Sequence, residues 1–251
     1  MSKMVSGVLV VLGAALGGVV PVSAQTGEPP SRVVVAVNYA FQATANDFTD
    51  AATIRRNAED GRDSVVYRVP TGAAFDVAGG VSIWRGLGVG VGVSRFTHAT
   101  DATASGSIAH PFFFSRPRAI TGPVAGLTRE ELAVHVQARL TLPVGQRLMV
   151  VLFAGPSYFQ AKQEVVTDLA YTESYPYDTA AFAPPGTRSA SQNRIGVNAG
   201  GDLGFFFTRQ IGVGVTARYA GTTVDLPSIG GGKVSAKVGG VQAGIGLRLR
   251  F

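Results

Sequence analysis

The sequence contains no cysteine. This excludes a fold that relies on disulfides, and it excludes a lipoprotein, which is anchored through a cysteine at its cleavage site. Only three histidines are present, and none stands at a spacing typical of metal ligands. We therefore expect neither a metal site nor a cofactor.

Long apolar runs are also scarce. Beyond residue 24, the longest nearly uninterrupted run is Leu148 to Pro156. It is far shorter than the roughly 20 residues that a membrane-spanning helix needs. A chain with such short runs is either soluble or a transmembrane β-barrel.

The N-terminus has the features of an export signal. Lys3 supplies a positive charge, residues 4–20 are apolar, and the Val-Ser-Ala sequence at 22–24 matches a small-residue cleavage site. A proline before that site argues against the alternative, an N-terminal membrane anchor. We predict a signal peptide at residues 1–24 and a short lead at residues 25–31.

The formal net charge is +6. A basic chain can bind nucleic acid, but here the arginines are scattered and no basic stripe or nucleic-acid motif occurs. Because an exported chain also rarely meets nucleic acid, we expect no nucleic-acid partner.

The rest of the chain alternates between apolar and polar residues with a period of two, which is typical of strands. The last segment shows it best: odd positions from Val241 to Phe251 are apolar, and even positions from Gln242 to Arg250 carry glycine, arginine or glutamine. The same pattern predicts eight strands, at residues 33–41, 73–83, 87–94, 132–142, 148–159, 195–207, 211–219 and 241–251.

Short and long connections alternate between these strands. The short ones lie at residues 84–86, 143–146 and 208–210, and the long polar ones at 46–65, 97–130, 161–192 and 225–232. This alternation places every long loop at one end of an antiparallel sheet. Outer-membrane barrels have short periplasmic turns and long extracellular loops, and an even number of strands returns both termini to the periplasm.

The two faces of the strands differ in a way that distinguishes lipid from water. The polar face is rich in glycine, and the apolar faces are as long as the lipid-facing band of a barrel. A soluble lipocalin-like barrel would bury its apolar face instead. We predict an all-β, closed, antiparallel up-and-down transmembrane barrel of eight strands, in which inner glycines make room for charged side chains.

The last residue, Phe251, resembles the C-terminal aromatic that barrel-insertion machinery recognises. Residues 32–251 resemble the OmpA-like family of small outer-membrane β-barrel domains. The resemblance is architectural and transfers no functional residue. It implies a Gram-negative outer-membrane location, outer-membrane lipid and the insertion machinery as partners, and Phe251 as the insertion signal.

Charged and polar side chains on the inner face should pair, because an unpaired buried charge is costly. Asp202 lies near Arg218 across a tight turn, so we predict that Asp202 pairs with Arg218, Arg139 or both. These residues form either a gate or a structural plug. The predicted lumen network is Asp76, His135, Arg139, Asp202, Arg218, Arg248.

The second long loop carries three consecutive phenylalanines, Phe112, Phe113 and Phe114, followed by Arg116 and Arg118. The phenylalanines form either an exposed contact surface for an unknown extracellular partner or a hydrophobic lid over the barrel mouth. The nearby arginines, including Arg129, could pair with the phosphates of lipopolysaccharide, or they are ordinary surface charge.

Three functions remain open from the sequence. The first is a non-catalytic barrel with a filled lumen and loops for structural or contact roles, and the second is a narrow channel for small solutes. A lipid hydrolase or protease is the third, but His98 with Asp101 resembles a hydrolase pair only superficially. We expect no catalytic residues.

Overall fold

The computed structural model describes residues 32–251. The predicted signal peptide at 1–24 and the lead at 25–31 lie outside the described residues. No helix in the described part of the chain is long and apolar enough to cross a membrane. The chain forms antiparallel strands β1 (Val33–Gln42), β2 (Phe48–Arg56), β3 (Glu59–Arg68), β4 (Gly72–Trp84), β5 (Leu87–Ile108), β6 (Arg118–Val144), β7 (Leu148–Glu173), β8 (Ala180–Phe206), β9 (Ile211–Pro227) and β10 (Lys233–Arg250).

Eight of these strands form a ring, and they are the eight that the alternation predicts. The ring runs β5-β4-β1-β10-β9-β8-β7-β6, and pairing of β5 with β6 completes it. The first and last strands are neighbours, since the backbone N–H of Phe251 donates to Val33 O over 2.9 Å. The all-β antiparallel fold is therefore confirmed.

The ring carries a band of exposed apolar side chains, which we call the belt. Outward residues such as Val91, Val136 and Leu247 are about half exposed, although water strongly disfavours so large a contiguous apolar surface. Exposed aromatic side chains lie toward both ends of these strands: Tyr39, Phe41, Tyr158 and Tyr219 toward one end, Trp84, Phe205, Phe207 and Phe251 toward the other.

Tight turns join the strands at one end of the ring. Between β4 and β5, Arg85 and Gly86 both have positive φ, 47° and 83°. Two consecutive positive φ values are required by the type I′ turn, whose twist matches that of a β-hairpin. A side chain at residue 86 would also collide with the backbone oxygen of Thr141, 2.3 Å from an ideal Cβ.

The segments predicted as long loops are mostly strand. Residues 46–65 contain β2 and most of β3, and β5 to β10 continue well beyond the belt before they turn. In this distal part the apolar side chains point inward: on β5, Val91 and Val93 face outward, whereas Phe96, Ala102 and Ala104 are buried. The apolar side chains thus change from the outer face to the inner face of the strand where the surroundings change from lipid to water.

The distal part has its own apolar core. Its members include Val65, Tyr67, Phe48 and Val166, and the rings of Phe48 and Tyr67 stack with centroids 4.4 Å apart. Burial raises the pKa of the Tyr67 phenol to about 12, although its oxygen accepts a hydrogen bond from Val166 N over 2.9 Å. The distal interior is a packed core rather than an aqueous opening.

Three groups of strands surround this core; all continue the single sheet of the ring, and they separate because the ring pairings stop at different distances from the belt. They are the four strands β2-β3-β5-β6, the hairpin β7-β8 and the hairpin β9-β10. Side chains bridge the gaps between them: Asp50 accepts from Ile229 N over 2.8 Å, and Glu164 accepts from Thr128 N over 2.7 Å. A third bridge is the hydrogen bond from Thr222 to Ile195 O.

Candidate functional site

The lumen within the belt is filled by a polar network. Arg248 of β10 is fully buried and donates from Nε to Asp202 Oδ1 of β8 over 2.9 Å, with a second contact from Nη2 to Oδ2. The guanidinium reaches past β9 because Gly214 has no side chain; a Cβ there would lie 2.8 Å from Arg248 Nε. A glycine on the inner face therefore makes room for this ion pair.

The predicted pairing of Asp202 with Arg218 or Arg139 is wrong. Arg218 instead donates from Nη1 to Asp76 Oδ2 over 2.8 Å and from Nη2 to Gln242 Oε1 over 2.6 Å. Strand stagger explains the difference, because Arg218 is opposite Gly200 and Asp202 is opposite Thr216. Each arginine therefore forms its ion pair with a carboxylate on a strand that is not adjacent to its own, and Arg218 also bonds to its cross-strand neighbour Gln242.

Asn38 joins the two ion pairs into one network. Its Nδ2 donates to Asp76 Oδ1 over 2.9 Å, and its Oδ1 accepts from Arg248 Nη1 over 2.7 Å. Below it, Arg139 is buried, and its Nη1 finds no partner among the described residues. Arg139 occupies space that glycines leave free, since a Cβ at Gly80 would lie 2.5 Å from its Nη1.

His135 forms a second polar layer. Its Nε2 lies 3.0 Å from Ser94 Oγ and its Nδ1 lies 2.7 Å from Ser157 Oγ, and Asn198 donates to Ser157 Oγ over 2.8 Å. A serine next to a histidine suggests nucleophilic catalysis, but the second ring nitrogen contacts a hydroxyl rather than an orienting carboxylate. All four side chains are buried in the lumen, so the cluster has the properties of a structural network.

The residues His98 and Asp101, considered above as a hydrolase pair, do not contact each other in the structure. In the described chain, no hydrogen bond or ion pair joins His98 to Asp101. Asp101 faces outward on β5, whereas His98 faces the interior near Phe96, with ring centroids 5.9 Å apart. Between residues 32 and 251, no group of three or more metal-ligating side chains is placed to hold a metal ion.

A buried ion pair spans the lumen just beyond the belt; we call it the clamp. Arg129 Nε donates to Glu131 Oε1 over 2.7 Å, and both side chains lie on β6. The clamp binds the backbone of β10 on the opposite side of the ring: Arg129 donates to Lys237 O over 2.6 Å, and Glu131 accepts from Gly239 N over 2.8 Å.

The clamp satisfies a strand edge that β1 leaves open. The pairing of β1 with β10 ends at Gln42 and Gln242, so β10 has no partner strand beyond that point on this side. Thr44 and Asn46 cover the nearest groups, because Thr44 Oγ1 accepts from Val241 N and Asn46 donates to Gly239 O. The clamp completes the hydrogen bonding of this edge from inside the lumen.

The three phenylalanines lie at the tip of the β5-β6 hairpin. Phe112, Phe113 and Phe114 are 70%, 54% and 74% exposed, which contradicts the alternative of a hydrophobic lid folded over the mouth. Phe112 packs edge-on against Tyr177 at 5.5 Å, and Tyr175, 85% exposed, packs against Tyr177 at 6.1 Å. We call these five residues the aromatic apex.

Buried polar groups hold the apex in place. The Nδ1 atom of His110 accepts from the backbone N–H groups of Phe112 and Phe113 over 3.1 and 3.2 Å. Arg118 forms a salt bridge with Glu173 of β7 and donates to Tyr177 O over 3.0 Å. The two hairpin tips are therefore fixed to each other, and the aromatic rings are presented on a rigid support.

The arginines considered for lipopolysaccharide do not face the membrane margin. Arg118 and Arg129 are buried and ion-paired. Arg116 is exposed at the apex, where its guanidinium lies 5.4 Å from the Phe113 ring and 3.6 Å from Asp178. Each of the three therefore contacts groups of the protein itself, and pairing with lipopolysaccharide stays a prediction.

Comparison with known proteins gives the family. A model of the outer membrane protein β-barrel domain matches residues 12–251. The chain belongs to this outer-membrane barrel family. Its members reside in the Gram-negative outer membrane, and that location follows for this barrel too. No curated protein matches the sequence.

Several solved outer-membrane barrels resemble this one. Neisserial surface protein A is 12% identical, with 87% of this chain and 97% of that chain covered and a TM-score of 0.43. Escherichia coli outer membrane protease OmpT is 8% identical, with 88% and 97% covered and a TM-score of 0.46. Yersinia pestis Ail, the attachment invasion locus protein, is 13% identical, with 88% and 100% covered and a TM-score of 0.37. At these values, their activities do not transfer to this barrel.

The sequence interpretation missed several lumen residues of this outer-membrane barrel. Asn38 and Gln242 stand at inward-facing positions in the alternation of their strands. That alternation is the signal that could have placed them in the predicted lumen network. Ser157 lies in a segment that is apolar on both faces, so its direction could not be read. Arg129 was missed because its segment was interpreted as a loop, and Glu131 because it falls between that loop and the next predicted strand.

Proposed function

We propose that this protein is a non-catalytic outer-membrane barrel with a closed lumen that makes contacts outside the cell through its aromatic apex. The observation that carries the proposal is the exposure of Phe112 to Phe114 on a rigid support. Exposed apolar patches on proteins usually mark interaction sites, and a loop that served only as a connection would not need buried anchors such as His110 and Arg118.

The filled lumen supports the closed, non-catalytic part of the proposal. The ion pairs Asp202–Arg248 and Asp76–Arg218 cross the interior, and an eight-stranded ring is only just wide enough for side chains to fill. The Ser94–His135 contact lies inside this packing, where a substrate could not reach it without unfolding of the network.

The orientation can be tested with single cysteines, because the chain has no native cysteine. Ser115→Cys lies in the turn between β5 and β6, and Gln210→Cys lies in a tight turn. If the long hairpins face outward, a membrane-impermeant maleimide should label Ser115→Cys on intact cells and Gln210→Cys only after permeabilisation. The reverse pattern would contradict the proposed orientation.

The contact role can be tested by replacing Phe112, Phe113 and Phe114 with serine together. Intact cells that display the native protein should adhere to alkyl-coated beads several-fold better than cells that display the triple variant, because the exposed apolar area is lost. Asp60→Ser, an exposed change near the start of β3, should leave adhesion unchanged. Equal adhesion of all three, with equal amounts of heat-modifiable barrel, would rule out the contact role.

A narrow channel is the second candidate, and Arg139 favours it. This guanidinium lies in the lumen without a hydrogen-bonded carboxylate, and charged pore linings select ions in channels. Appreciable conductance of the purified native barrel in a planar bilayer would support the channel and overturn the closed lumen.

A further inference from the structure

A shallow groove lies on the outer wall where the belt ends toward the long hairpins. Val93, Val134 and Tyr158 form an outward cross-strand row within the belt on β5, β6 and β7. The next two rows outward change character: Arg95, Leu132 and Gln160, then Thr97, Glu130 and Lys162. The groove has a volume of about 150 Å³ and is lined by Arg95, Glu130, Glu131, Leu132, Gln160 and Lys162.

Apart from Glu131, which belongs to the clamp, the charged side chains of the groove have no partner within the described chain. Neither Arg95 nor Lys162 forms a hydrogen bond or an ion pair there, and neither does the carboxylate of Glu130. Elsewhere in the distal part, Arg194 forms a salt bridge with Asp225, whereas the exposed Arg62 and Arg188 also have no partner within the described chain. The groove is distinguished by its position, because Arg95 on β5 and Lys162 on β7 lie on either side of β6 where the belt ends.

The position of Arg95 makes an unpaired charge costly. Its cross-strand neighbours are Phe75 and Leu132, which are both exposed lipid-facing side chains. A guanidinium at this margin extends toward the headgroups and finds its counter-ion there. Phosphate is the anion of that region, and the planar guanidinium binds phosphate through two parallel hydrogen bonds.

We propose that this groove binds the phosphorylated sugar headgroup of an outer-leaflet glycolipid. Arg95 and Lys162 donate hydrogen bonds to the phosphate, and Phe75 and Leu132 contact the acyl chains below it. Glu130 would repel a bare phosphate, but its carboxylate accepts hydrogen bonds from sugar hydroxyls beside the phosphate. This chemistry favours a phosphoglycolipid over a phospholipid. The leaflet assignment requires that the long hairpins face outward, which cysteine labelling tests separately.

The test is binding of defined lipids to the folded barrel in detergent micelles, measured by native mass spectrometry. Bisphosphorylated lipid A should bind to the native protein. Arg95→Gln combined with Lys162→Gln should weaken that binding about tenfold or more, which corresponds to the loss of roughly one charge-assisted phosphate contact. Arg62→Gln combined with Lys233→Gln removes the same charge from exposed positions away from the groove and should leave binding unchanged.

Two further ligands make the outcome decisive. Dephosphorylated lipid A and phosphatidylglycerol should both bind more weakly than bisphosphorylated lipid A. Glu130→Gln should reduce the preference for lipid A over phosphatidylglycerol. Equal binding by the groove variant and the control variant would overturn the site, and equal binding of phosphatidylglycerol and lipid A would overturn the glycolipid assignment. Heat-modifiable migration of every variant checks that the barrel is folded.

Discussion

Replacing Asp202 by alanine should lower the free energy of unfolding by about 3–5 kcal/mol, the cost typical of breaking a buried ion pair from one side. Arg248 is fully buried, and Asp202 is the carboxylate that it contacts at both oxygens. Without that carboxylate, the guanidinium keeps only its bonds to Asn38 and to its neighbouring backbone oxygen. Urea unfolding of the barrel in lipid vesicles measures the change.

The double variant Asp202→Ala with Arg248→Met should be more stable than Asp202→Ala alone. Methionine removes the stranded charge, and an apolar replacement of a buried ion pair is often close to neutral. The single variant should also raise the conductance of the barrel in a planar bilayer, because it leaves a gap in the network and an uncompensated positive charge. Asp202→Asn keeps the shape and should fall between the native protein and Asp202→Ala.

An exposed aspartate on the outer face provides the control. Asp101→Ala on β5 should change stability by no more than about 0.5 kcal/mol, as surface substitutions usually do. If the single and double lumen variants are equally destabilised and the conductance stays near zero in both, Asp202 and Arg248 do not act as a coupled plug.

The predicted strands end where the apolar residues change from the outer face of the strand to the inner face. Within the belt, lipid selects apolar residues on the outer face, so alternation from Leu87 to Val93 has one sign. Beyond the belt, water selects polar residues on that same face, and the small residues Ala102 and Ala104 form the core instead. A segment of small apolar and polar residues resembles a loop when each position is judged by its polarity alone. The sequence therefore predicts the belt but not the strands beyond it.

The lumen illustrates a second limit. Parity along a strand shows that Asp76, Asp202, Arg218 and Arg248 all face inward, and each does so in the structure. Parity does not show where each residue lies along the axis of the ring, because that position depends on the stagger of all the strands. Long arginine side chains also cross intervening strands where a glycine such as Gly214 leaves space. Partners in a narrow ring are therefore set by three-dimensional stagger and free volume.

The clamp should be the second position at which one substitution has a large effect. Glu131→Ala leaves Arg129, 2% exposed, without its carboxylate and leaves the Gly239 N–H without an acceptor. The expected loss is again about 3–5 kcal/mol, since a buried charge is stranded. Glu131→Gln can still accept from Gly239 N but cannot neutralise Arg129, so its loss should be smaller.

The clamp differs from the lumen network in the region that its loss should open. Glu131→Ala frees the edge of β10 beyond Gln242, where β1 no longer pairs with it. Amide hydrogen exchange should therefore accelerate at Gly239, whereas Ile245, paired with Tyr39 and Val215 inside the belt, should keep its protection. Equal acceleration at both amides would show that the substitution loosens the whole ring rather than this edge. Unchanged exchange at Gly239 would show that the clamp does not hold the edge closed.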